Sequence, residues 1–290
     1  MKILVTGGAG FVGSRLLKYL STNPKYKLTS LDNYFTGRLQ NHTYNVKYIK
    51  GNTWEADKIF KGETFDIIYH FGEYSRISTS FDDIKLLNKS ILQGTPVILE
   101  LAKKWNAKLI YSASSSGLGN NGLDQNLSPY SWMKSKMIEL IKNYNKWFGL
   151  EYQICYFYNV FGPGQITEGK YATVIGIFQQ QYNDKKPLTV VSPGTQKRIF
   201  THIDDIVNGL VKVLNTETKN HEWYLRSEES ISILNLCKLF NTKYKIIPER
   251  LGERNNAQIK KNDTKTTLNW NTIYNIRDYV KSVTIIYNIF

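Results

Sequence analysis

The chain has 290 residues, of which 41% are hydrophobic and 21% are charged; this balance excludes long disordered stretches, and the length allows one large domain or two modest ones. Its apolar runs fall well short of the roughly 18 residues of a membrane-spanning helix, and its first residues do not form a signal peptide, so we expect a cytoplasmic protein. The net charge of +14 comes from basic residues spread along the chain without a block of five or six, so we expect neither nucleic acid nor a membrane as a partner.

The first half of the chain alternates between short apolar runs and segments with helical spacing. The apolar runs predict six strands, at Lys2–Thr6, Lys27–Leu31, Val46–Lys50, Phe65–His70, Lys108–Ser112 and Tyr152–Tyr158. Helical spacing predicts three helices, at Phe11–Leu20, Ile84–Trp105 and Pro129–Phe148. A Gly-Thr-Pro sequence at residues 94–96 is expected to interrupt the second helix. Strands that alternate with helices indicate an α/β fold with a doubly wound parallel sheet.

The alternation becomes irregular after the Phe-Gly-Pro-Gly sequence at residues 161–164. We therefore predict two parts, a sheet domain at residues 1–160 and a smaller mixed lobe at residues 161–290 that is partly interleaved with it. The two cysteines, Cys155 and Cys237, lie in apolar runs. This placement is typical of buried thiols, so we expect neither a disulfide nor a metal site.

A glycine-rich sequence, TGGAGFVG at residues 6–13, follows the first strand and opens the first helix. A dinucleotide-binding, Rossmann-type fingerprint requires this position: Gly7 makes a tight turn, Gly10 lets the backbone approach a pyrophosphate, and Gly13 lets the helix pack closely on the strand. Asp32 ends the second strand, at about the 20-residue distance that this fingerprint expects. Its carboxylate would bind a ribose 2′-hydroxyl and repel a 2′-phosphate, so NAD is favoured over NADP, a preference that Arg38 would weaken.

Tyr130 and Lys134 lie one turn apart on one face of the long predicted helix. A lysine ammonium beside a tyrosine stabilises the phenolate, which makes Tyr130 a candidate base. Such a pair alone is common on solvated helix faces. Here a serine-rich sequence, residues 111–116, ends the fifth strand at the carboxyl edge of the sheet, where open α/β sheets bind ligands. Together with the glycine fingerprint, the three features indicate a catalytic site.

These sequences resemble those of an extended short-chain dehydrogenase/reductase of the NAD-dependent epimerase/dehydratase family, which acts on nucleotide sugars. The matching segments run from residue 3 to about residue 270 and are TGGAGFVGS, LDNYFTG, FDIIYHFGEYS, YSASSSGLG, SPYSWMKSK, YFYNVFGPGQ, TQKRIFTHIDDIV and PERLGER…LNW. The resemblance implies a catalytic triad of Ser or Thr, Tyr and Lys. Ser114, Tyr130 and Lys134 match it, with Ser112 and Ser115 as neighbouring alternatives for the serine.

The resemblance also implies NAD as the cofactor and a nucleotide sugar as the substrate. The residues that it places at the cofactor are Gly7, Gly10, Phe11, Val12, Gly13, Asp32, Asn33, Asn52, Phe71, Gly72, Ser112, Tyr130, Lys134 and Phe157. The residues that it places at the substrate are Glu73, Ser114, Asn159, Arg198, Arg250 and Arg254. Asn159 and Arg198 would meet the diphosphate, and Arg250 and Arg254 compete for the role of a second phosphate arginine.

The chain departs from the family pattern at several positions. Asn52 stands where the family usually has an aspartate, Ile91 where it often has an asparagine, and Tyr156 where arginine is common. Glu73 replaces a small residue close to the expected sugar position. We expect its carboxylate either to read a sugar hydroxyl or to form an ion pair with Arg76, three residues farther on.

The serine run at residues 114–116 helps to choose among the reactions of the family. Dehydratases of the family resemble one another in a Thr-Asp-Glu run at this position, and decarboxylases usually keep a glutamate at the place of Ser116. This chain has no carboxylate there, so we predict an isomerase, a UDP-hexose 4-epimerase that acts through a 4-keto intermediate. A nucleotide-sugar dehydrogenase, a 4,6-dehydratase and a non-catalytic NAD-binding regulator are the alternatives. The resemblance also implies a homodimer, formed through the two long helices.

Overall fold

The computed structural model describes residues 1–254 and 263–285, and the following elements belong to those ranges. The strands are β1 (Lys2–Thr6), β2 (Lys27–Asp32), β3 (Val46–Lys50), β4 (Ile67–His70), β5 (Lys108–Ser114), β6 (Tyr152–Phe157), β7 (Asn159–Phe161), β8 (Leu188–Val191), β9 (Lys197–His202), β10 (His221–Leu225), β11 (Ser230–Ser232) and β12 (Tyr244–Ile247). The helices are α1 (Phe11–Leu20), α2 (Ala56–Ile59), α3 (Ile84–Leu87), α4 (Gly94–Trp105), α5 (Pro129–Phe148), α6 (Val174–Asn183), α7 (Ile203–Asn215), α8 (Ile233–Leu239), α9 (Thr264–Thr267) and α10 (Ile276–Ile285). No helix in these ranges is both long enough and apolar enough to cross a membrane.

Seven strands form one parallel sheet in the order β10-β6-β5-β4-β1-β2-β3. The central strand β1 buries Ile3, Leu4 and Val5 completely, as expected of a parallel strand that is covered on both faces. The order reverses between β1 and β4, and ligands bind beyond the carboxyl ends of the strands at such a reversal. The structure therefore confirms the doubly wound parallel sheet.

Helices cover both faces of this sheet, so the fold has three layers. One face packs against α4 and α5 through a cluster that includes Leu99 and Ile141. The other face packs against α1 and α7 through a cluster that includes Leu16, Leu210 and Trp223. The layers hold the sheet rigidly, so the loops at its carboxyl edge have fixed starting points.

The later part of the chain forms two small sheets, as the prediction of a smaller mixed lobe requires. In the first, β9 pairs with β11 in antiparallel and with β7 in parallel orientation. In the second, β12 pairs with β8. These sheets share a third apolar cluster with α6, α8 and α10. Both α7 and β10 belong instead to the layers of the large sheet, and the division at residue 160 stays a prediction.

The predicted interruption of the helix at residues 94–96 is wrong. The helix continues through these residues, and its irregularity lies one turn earlier, where a π-helical turn, Asn88–Gln93, joins α3 to α4. Pro96 follows this π-helical turn directly, so its missing backbone N–H and its ring lie where the helix changes from π- to α-helical spacing. Gly94 serves close packing, because a Cβ atom there would overlap the Thr53 side chain.

Candidate active site

The glycine-rich turn between β1 and α1 has the geometry of a phosphate cradle. Gly7 has a φ of +72°, which favours glycine, and its carbonyl oxygen accepts a hydrogen bond of 3.1 Å from the Gly10 N–H. A Cβ atom at Gly13 would overlap that same carbonyl oxygen. No side chain caps α1, and its first turn contains no acidic residue. The N–H groups of this turn therefore remain available to an anion.

Asp32 lies at the end of β2, beside this turn, and its side chain is held by backbone groups. One carboxylate oxygen accepts a hydrogen bond from the Ala9 N–H, and the other accepts one from the Tyr34 N–H, both at 2.8 Å. Burial raises the pKa of Asp32, and the backbone N–H donors oppose that shift. The carboxylate thus has a fixed position next to the candidate phosphate cradle, where the sequence prediction requires it.

Asn52 differs from the other residues predicted to bind the cofactor. The others line one continuous cleft of about 490 Å³ at the carboxyl edge of the sheet, which Asn52 does not line. Its side chain accepts a hydrogen bond of 3.0 Å from Asn33 and donates one of 2.7 Å to Glu55. Asn52 therefore supports Asn33, which does line the cleft.

Ser114, Tyr130 and Lys134 all line this cleft. Ser114 is the last residue of β5. The Ser128 hydroxyl caps α5 by accepting a hydrogen bond from the Ser131 N–H, and Pro129 is the first helical residue. This local sequence fixes the first turn of α5 and places Tyr130 within it.

The serine register is consistent with Ser114 as the triad serine. The Ser112 hydroxyl donates a hydrogen bond of 3.1 Å to the His70 carbonyl oxygen inside the sheet. The Ser114 hydroxyl instead accepts a hydrogen bond of 3.2 Å from the Ser116 N–H, at the point where β5 ends and a short 3₁₀ turn begins. Its own proton therefore remains available for a ligand.

Within the described residues, Glu73 does not form the ion pair with Arg76 that the sequence offered as one possibility. Its carboxylate forms an ion pair with Lys134 and accepts hydrogen bonds from Thr95 and Tyr111. The Glu73 side chain is only 2% exposed, and its contact with a sugar hydroxyl stays a prediction. Arg76 donates instead to the carbonyl oxygens of Tyr171 (2.5 Å) and Ser75 (3.0 Å).

Basic side chains also line the cleft. Arg198 is buried and forms an ion pair with Glu253. Arg254 is also buried and donates a hydrogen bond of 2.6 Å to the Ser115 carbonyl oxygen. Burial and the nearby Arg198 guanidinium lower the pKa of Arg254 to about 10. Two neighbouring buried cations favour an anionic ligand between them.

Arg250 and Asn159 are the other two candidates for binding the diphosphate. Arg250 also lines the cleft but is exposed, so burial favours Arg254 as the second phosphate arginine. The Asn159 amide donates a hydrogen bond of 2.8 Å to the Ile199 carbonyl oxygen. This bond fixes Asn159 at the start of β7, facing the cleft.

Three further residues, Arg76, Ser116 and Tyr158, line the cleft with polar groups to which the sequence assigned no ligand. Within residues 1–254 and 263–285, Arg76 donates to backbone carbonyl oxygens and forms no ion pair with a carboxylate. The hydroxyl groups of Ser116 and Tyr158 are buried without a hydrogen-bond partner in the same ranges. Burial raises the pKa of Tyr158 to about 12, so the phenol stays protonated and can donate. Because Tyr158 directly precedes Asn159, which was already a candidate for substrate binding, the sequence could have pointed to Tyr158 as well.

Comparison with known sequences gives consistent results. A family model described as the NAD dependent epimerase/dehydratase family matches residues 3–225. A dTDP-D-glucose 4,6-dehydratase of Dictyostelium discoideum is 31% identical over 82% of this chain and 61% of its own length. A UDP-glucuronic acid decarboxylase of Arabidopsis thaliana is 30% identical over 74% of this chain and 66% of its own length. A putative UDP-glucose 4-epimerase of Methanocaldococcus jannaschii is 29% identical over 88% of this chain and 84% of its own length. The chain thus spans less than two thirds of the length of the first two relatives.

Solved structures share the fold over the whole chain. A UDP-glucose 4-epimerase from Thermotoga maritima with UDP-glucose has a TM-score of 0.91 at 22% identity, and covers 100% of this chain and 99% of its own. A UDP-glucuronic acid 4-epimerase from Bacillus cereus, in complex with UDP-glucuronic acid and NAD, has a TM-score of 0.87 at 25% identity, with coverages of 100% and 99%.

Proposed function

This chain belongs to the NAD-dependent epimerase/dehydratase family, and from that premise we propose that it is a nucleotide-sugar 4-epimerase. The proposal depends on which side chains of the cleft could act as an acid or a base. Beside Tyr130 the serine run at residues 114–116 offers hydroxyl groups only, and the Glu73 carboxylate faces Lys134. A reversible oxidation at C4 needs one proton acceptor, whereas elimination of water needs a further acid–base pair.

NAD is the cofactor of this family, and the residues of the cleft fit it. A Cβ atom at Gly13 would overlap the Gly7 carbonyl oxygen, so the glycine turn and the start of α1 are in direct backbone contact. The N–H groups of the first turn of α1 would bind the pyrophosphate, Asp32 would bind the adenine ribose, and Lys134 would bind the nicotinamide ribose. When bound, NAD accepts a hydride and returns it.

The chain's own groups handle the proton. Tyr130 removes the proton from the C4 hydroxyl of the sugar, and Ser114 donates a hydrogen bond to the same oxygen. Lys134 lies one turn farther along the same helix and lines the same cleft. After the 4-keto sugar has presented its other face, Tyr130 returns the proton to the new C4 hydroxyl.

The substrate of this proposal is a UDP-hexose. Arg198 and Arg254 are the two buried cations that would bind its diphosphate, with Asn159 beside them. Names of relatives and structural neighbours point to nucleoside diphosphate sugars, and several of them contain UDP. A homodimer and a cytoplasmic location belong to the same proposal.

A 4,6-dehydratase is the second candidate, because a relative at 31% identity carries that name. It would require a carboxylate that touches the sugar. In the ranges that the structure describes, Glu73 is the carboxylate nearest to Lys134 in the cleft, and its oxygens are already engaged by protein groups. The product therefore decides between the two candidates.

The test is incubation of the purified protein with UDP-glucose, UDP-N-acetylglucosamine and UDP-glucuronic acid in separate reactions. We expect one of them to yield its C4 epimer, identified by NMR, with unchanged mass and no net formation of NADH. Tyr130→Phe should lower turnover by roughly 10²–10⁴-fold, because it removes the proton acceptor, while NAD stays bound. A product lighter by one water would establish the dehydratase, and stoichiometric NADH would establish a dehydrogenase.

A further inference from the structure

The Lys134 ammonium has an unusual set of partners inside the cleft wall. It forms an ion pair with a Glu73 oxygen, donates a hydrogen bond of 2.5 Å to the Ser112 carbonyl oxygen, and lies 4.2 Å from the centre of the Tyr111 ring. The Lys134 and Glu73 side chains are 4% and 2% exposed. The charge of Lys134 is thus balanced within the protein, by a residue that replaces a small one in the family pattern.

Glu73 is itself held from two other elements. Its second oxygen accepts hydrogen bonds from Thr95 on α4 and from Tyr111 on β5, the latter at 3.2 Å. His70 lies 3.7 Å from the same oxygen. Because burial lowers the pKa of His70 to about 4, the imidazole is neutral at physiological pH and does not compete for the charge of Glu73. Among the residues that the structure describes, the Glu73 carboxylate therefore has Lys134 as its cationic partner, and its hydrogen bonds hold it in one position.

The geometry limits what Lys134 can do. An ammonium group has three N–H donors, and two of them point to Glu73 and to the Ser112 carbonyl oxygen. One donor remains for the cleft, where the cofactor ribose and Tyr130 are expected. A lysine has a flexible four-carbon stem, so without Glu73 its ammonium would lose both its counter-charge and its fixed direction.

We propose that Glu73 is a positioning residue, which fixes the Lys134 ammonium so that its remaining donor meets the cofactor ribose beside Tyr130. This inference rests on the proposed function for the role of Lys134. It adds that Glu73 acts through Lys134 alone and does not touch the sugar. Removal of Glu73 should therefore matter only while Lys134 is present.

A double-mutant cycle tests this dependence. The variants are Glu73→Gln, which keeps the side-chain shape, Lys134→Met, and the two combined. In the holoenzyme we measure the rate at which a saturating UDP-hexose reduces bound NAD in a single turnover. Glu73→Gln should lower this rate about 10-fold through misplacement of the ammonium, with an unchanged KM for the sugar nucleotide. The combined variant should be no slower than Lys134→Met. Independent, multiplying losses would overturn the proposal, as would a raised KM for Glu73→Gln.

A second readout does not depend on turnover. The rate of NAD release from the holoenzyme should rise about 3- to 10-fold in Glu73→Gln. This factor is typical for the weakening of one hydrogen bond, here the bond from Lys134 to the cofactor ribose. It should not rise further when Glu73→Gln is added to Lys134→Met. If no UDP-hexose is epimerised, the proposed function fails and this cycle still decides whether Glu73 acts through Lys134.

Two variants serve as controls. Glu73→Asp keeps the charge but shortens the side chain by one methylene, so it should give rates between those of the wild type and Glu73→Gln. Glu63→Gln removes the carboxylate of an exposed ion pair with Lys47 and should leave both rates unchanged, since exposed ion pairs contribute little. Wild-type rates in Glu73→Gln would show that the buried ion pair has no positioning role.

Discussion

At the scale of single residues, we expect Arg198 to contribute strongly to binding of the proposed diphosphate. It is buried and its one carboxylate partner among the residues described is Glu253. Burial lowers the pKa of Arg198, and Glu253 opposes that shift. A diphosphate would supply a stronger counter-charge at the same guanidinium, since planar guanidinium groups match phosphate oxygens.

Arg198→Ala should therefore weaken the binding of UDP roughly 10- to 100-fold, which corresponds to about 1.5–3 kcal/mol for a charged hydrogen bond. NAD occupancy should stay unchanged, because Arg198 is not among the residues expected to bind the cofactor. Calorimetry with UDP, GDP and ADP measures the effect. Arg277→Ala, which removes an exposed arginine that pairs with Glu229, is the control. Unaltered UDP affinity in Arg198→Ala would place the phosphate site elsewhere, and tighter binding of GDP would contradict the UDP assignment.

Side-chain partners were the least predictable part of the site. Arg76 is close to Glu73 in sequence, but a spacing of three residues brings side chains together only on a helix, and residues 71–77 form a loop. The observed partner, Lys134, lies 61 residues away. Only the pairing of β4 with β5 and the packing of α5 bring the two together. The residue types at the glycine turn, Asp32 and Tyr130 could be read locally, because each depends on one strand end or one helix start.

At the scale of elements, the turn that joins β1 to α1 depends on contacts between backbone atoms. Gly13→Ala would place a methyl group against the Gly7 carbonyl oxygen. Helix α1 must then move away from the turn, and overpacking of this kind costs about 1–3 kcal/mol. We expect a lower midpoint of urea unfolding and loss of co-purified NAD, which is measured by absorbance after denaturation.

Gly117→Ala is the matched control for this prediction. The nearest atom to a Cβ at Gly117 lies 3.5 Å away, and its φ is not in the left-handed region. This variant should keep both its stability and its NAD. If Gly13→Ala also kept them, α1 could shift freely and the turn would not be a rigid cradle.

The regular elements could be predicted where their pattern is decided locally. Strands β1 and β3 and helices α1 and α5 have the predicted bounds, because buried strands and amphipathic helices carry strong periodicities. The interruption at residues 94–96 could not be judged in this way. A side chain at position 94 would overlap Thr53, which lies far away in sequence, so the reason for a glycine there is not local. A π-helical turn has no local sequence pattern either.

At the scale of the whole molecule, the C-terminal end of α5 bears two exposed aromatic side chains in contact. They are Trp147 and Phe148, which are 60% and 51% exposed and have ring centres 6.1 Å apart. Large aromatic side chains grouped on one surface are typical of an interface. We expect wild-type protein to have twice the chain mass of 33.6 kDa in light scattering, and Trp147→Glu to shift it towards the monomer by burying a charge.

Tyr44→Glu provides the comparison, because Tyr44 is 87% exposed and lies in a loop before β3, away from α5. It should leave the mass unchanged. A monomeric wild type would contradict the expected homodimer, and a Trp147→Glu variant that remains dimeric would place the interface elsewhere than at Trp147.

Because β10 comes late in the chain but pairs with β6, the large sheet cannot be completed until part of the second half has been synthesised. A nascent chain that ends at residue 160 contains β6 but not β10. The backbone N–H and C=O groups on the outer edge of β6 are then unpaired. The face later covered by α7 is also exposed at that moment. Helix α7 can cover this face once residues up to Asn215 have been made, and β10 can pair with β6 once residues up to Leu225 have been made. The sheet that carries the candidate catalytic residues therefore finishes folding after much of the lobe has been synthesised. A protease cut between β7 and α7 would leave an N-terminal fragment that lacks both α7 and β10, and we expect this fragment to aggregate rather than to be active.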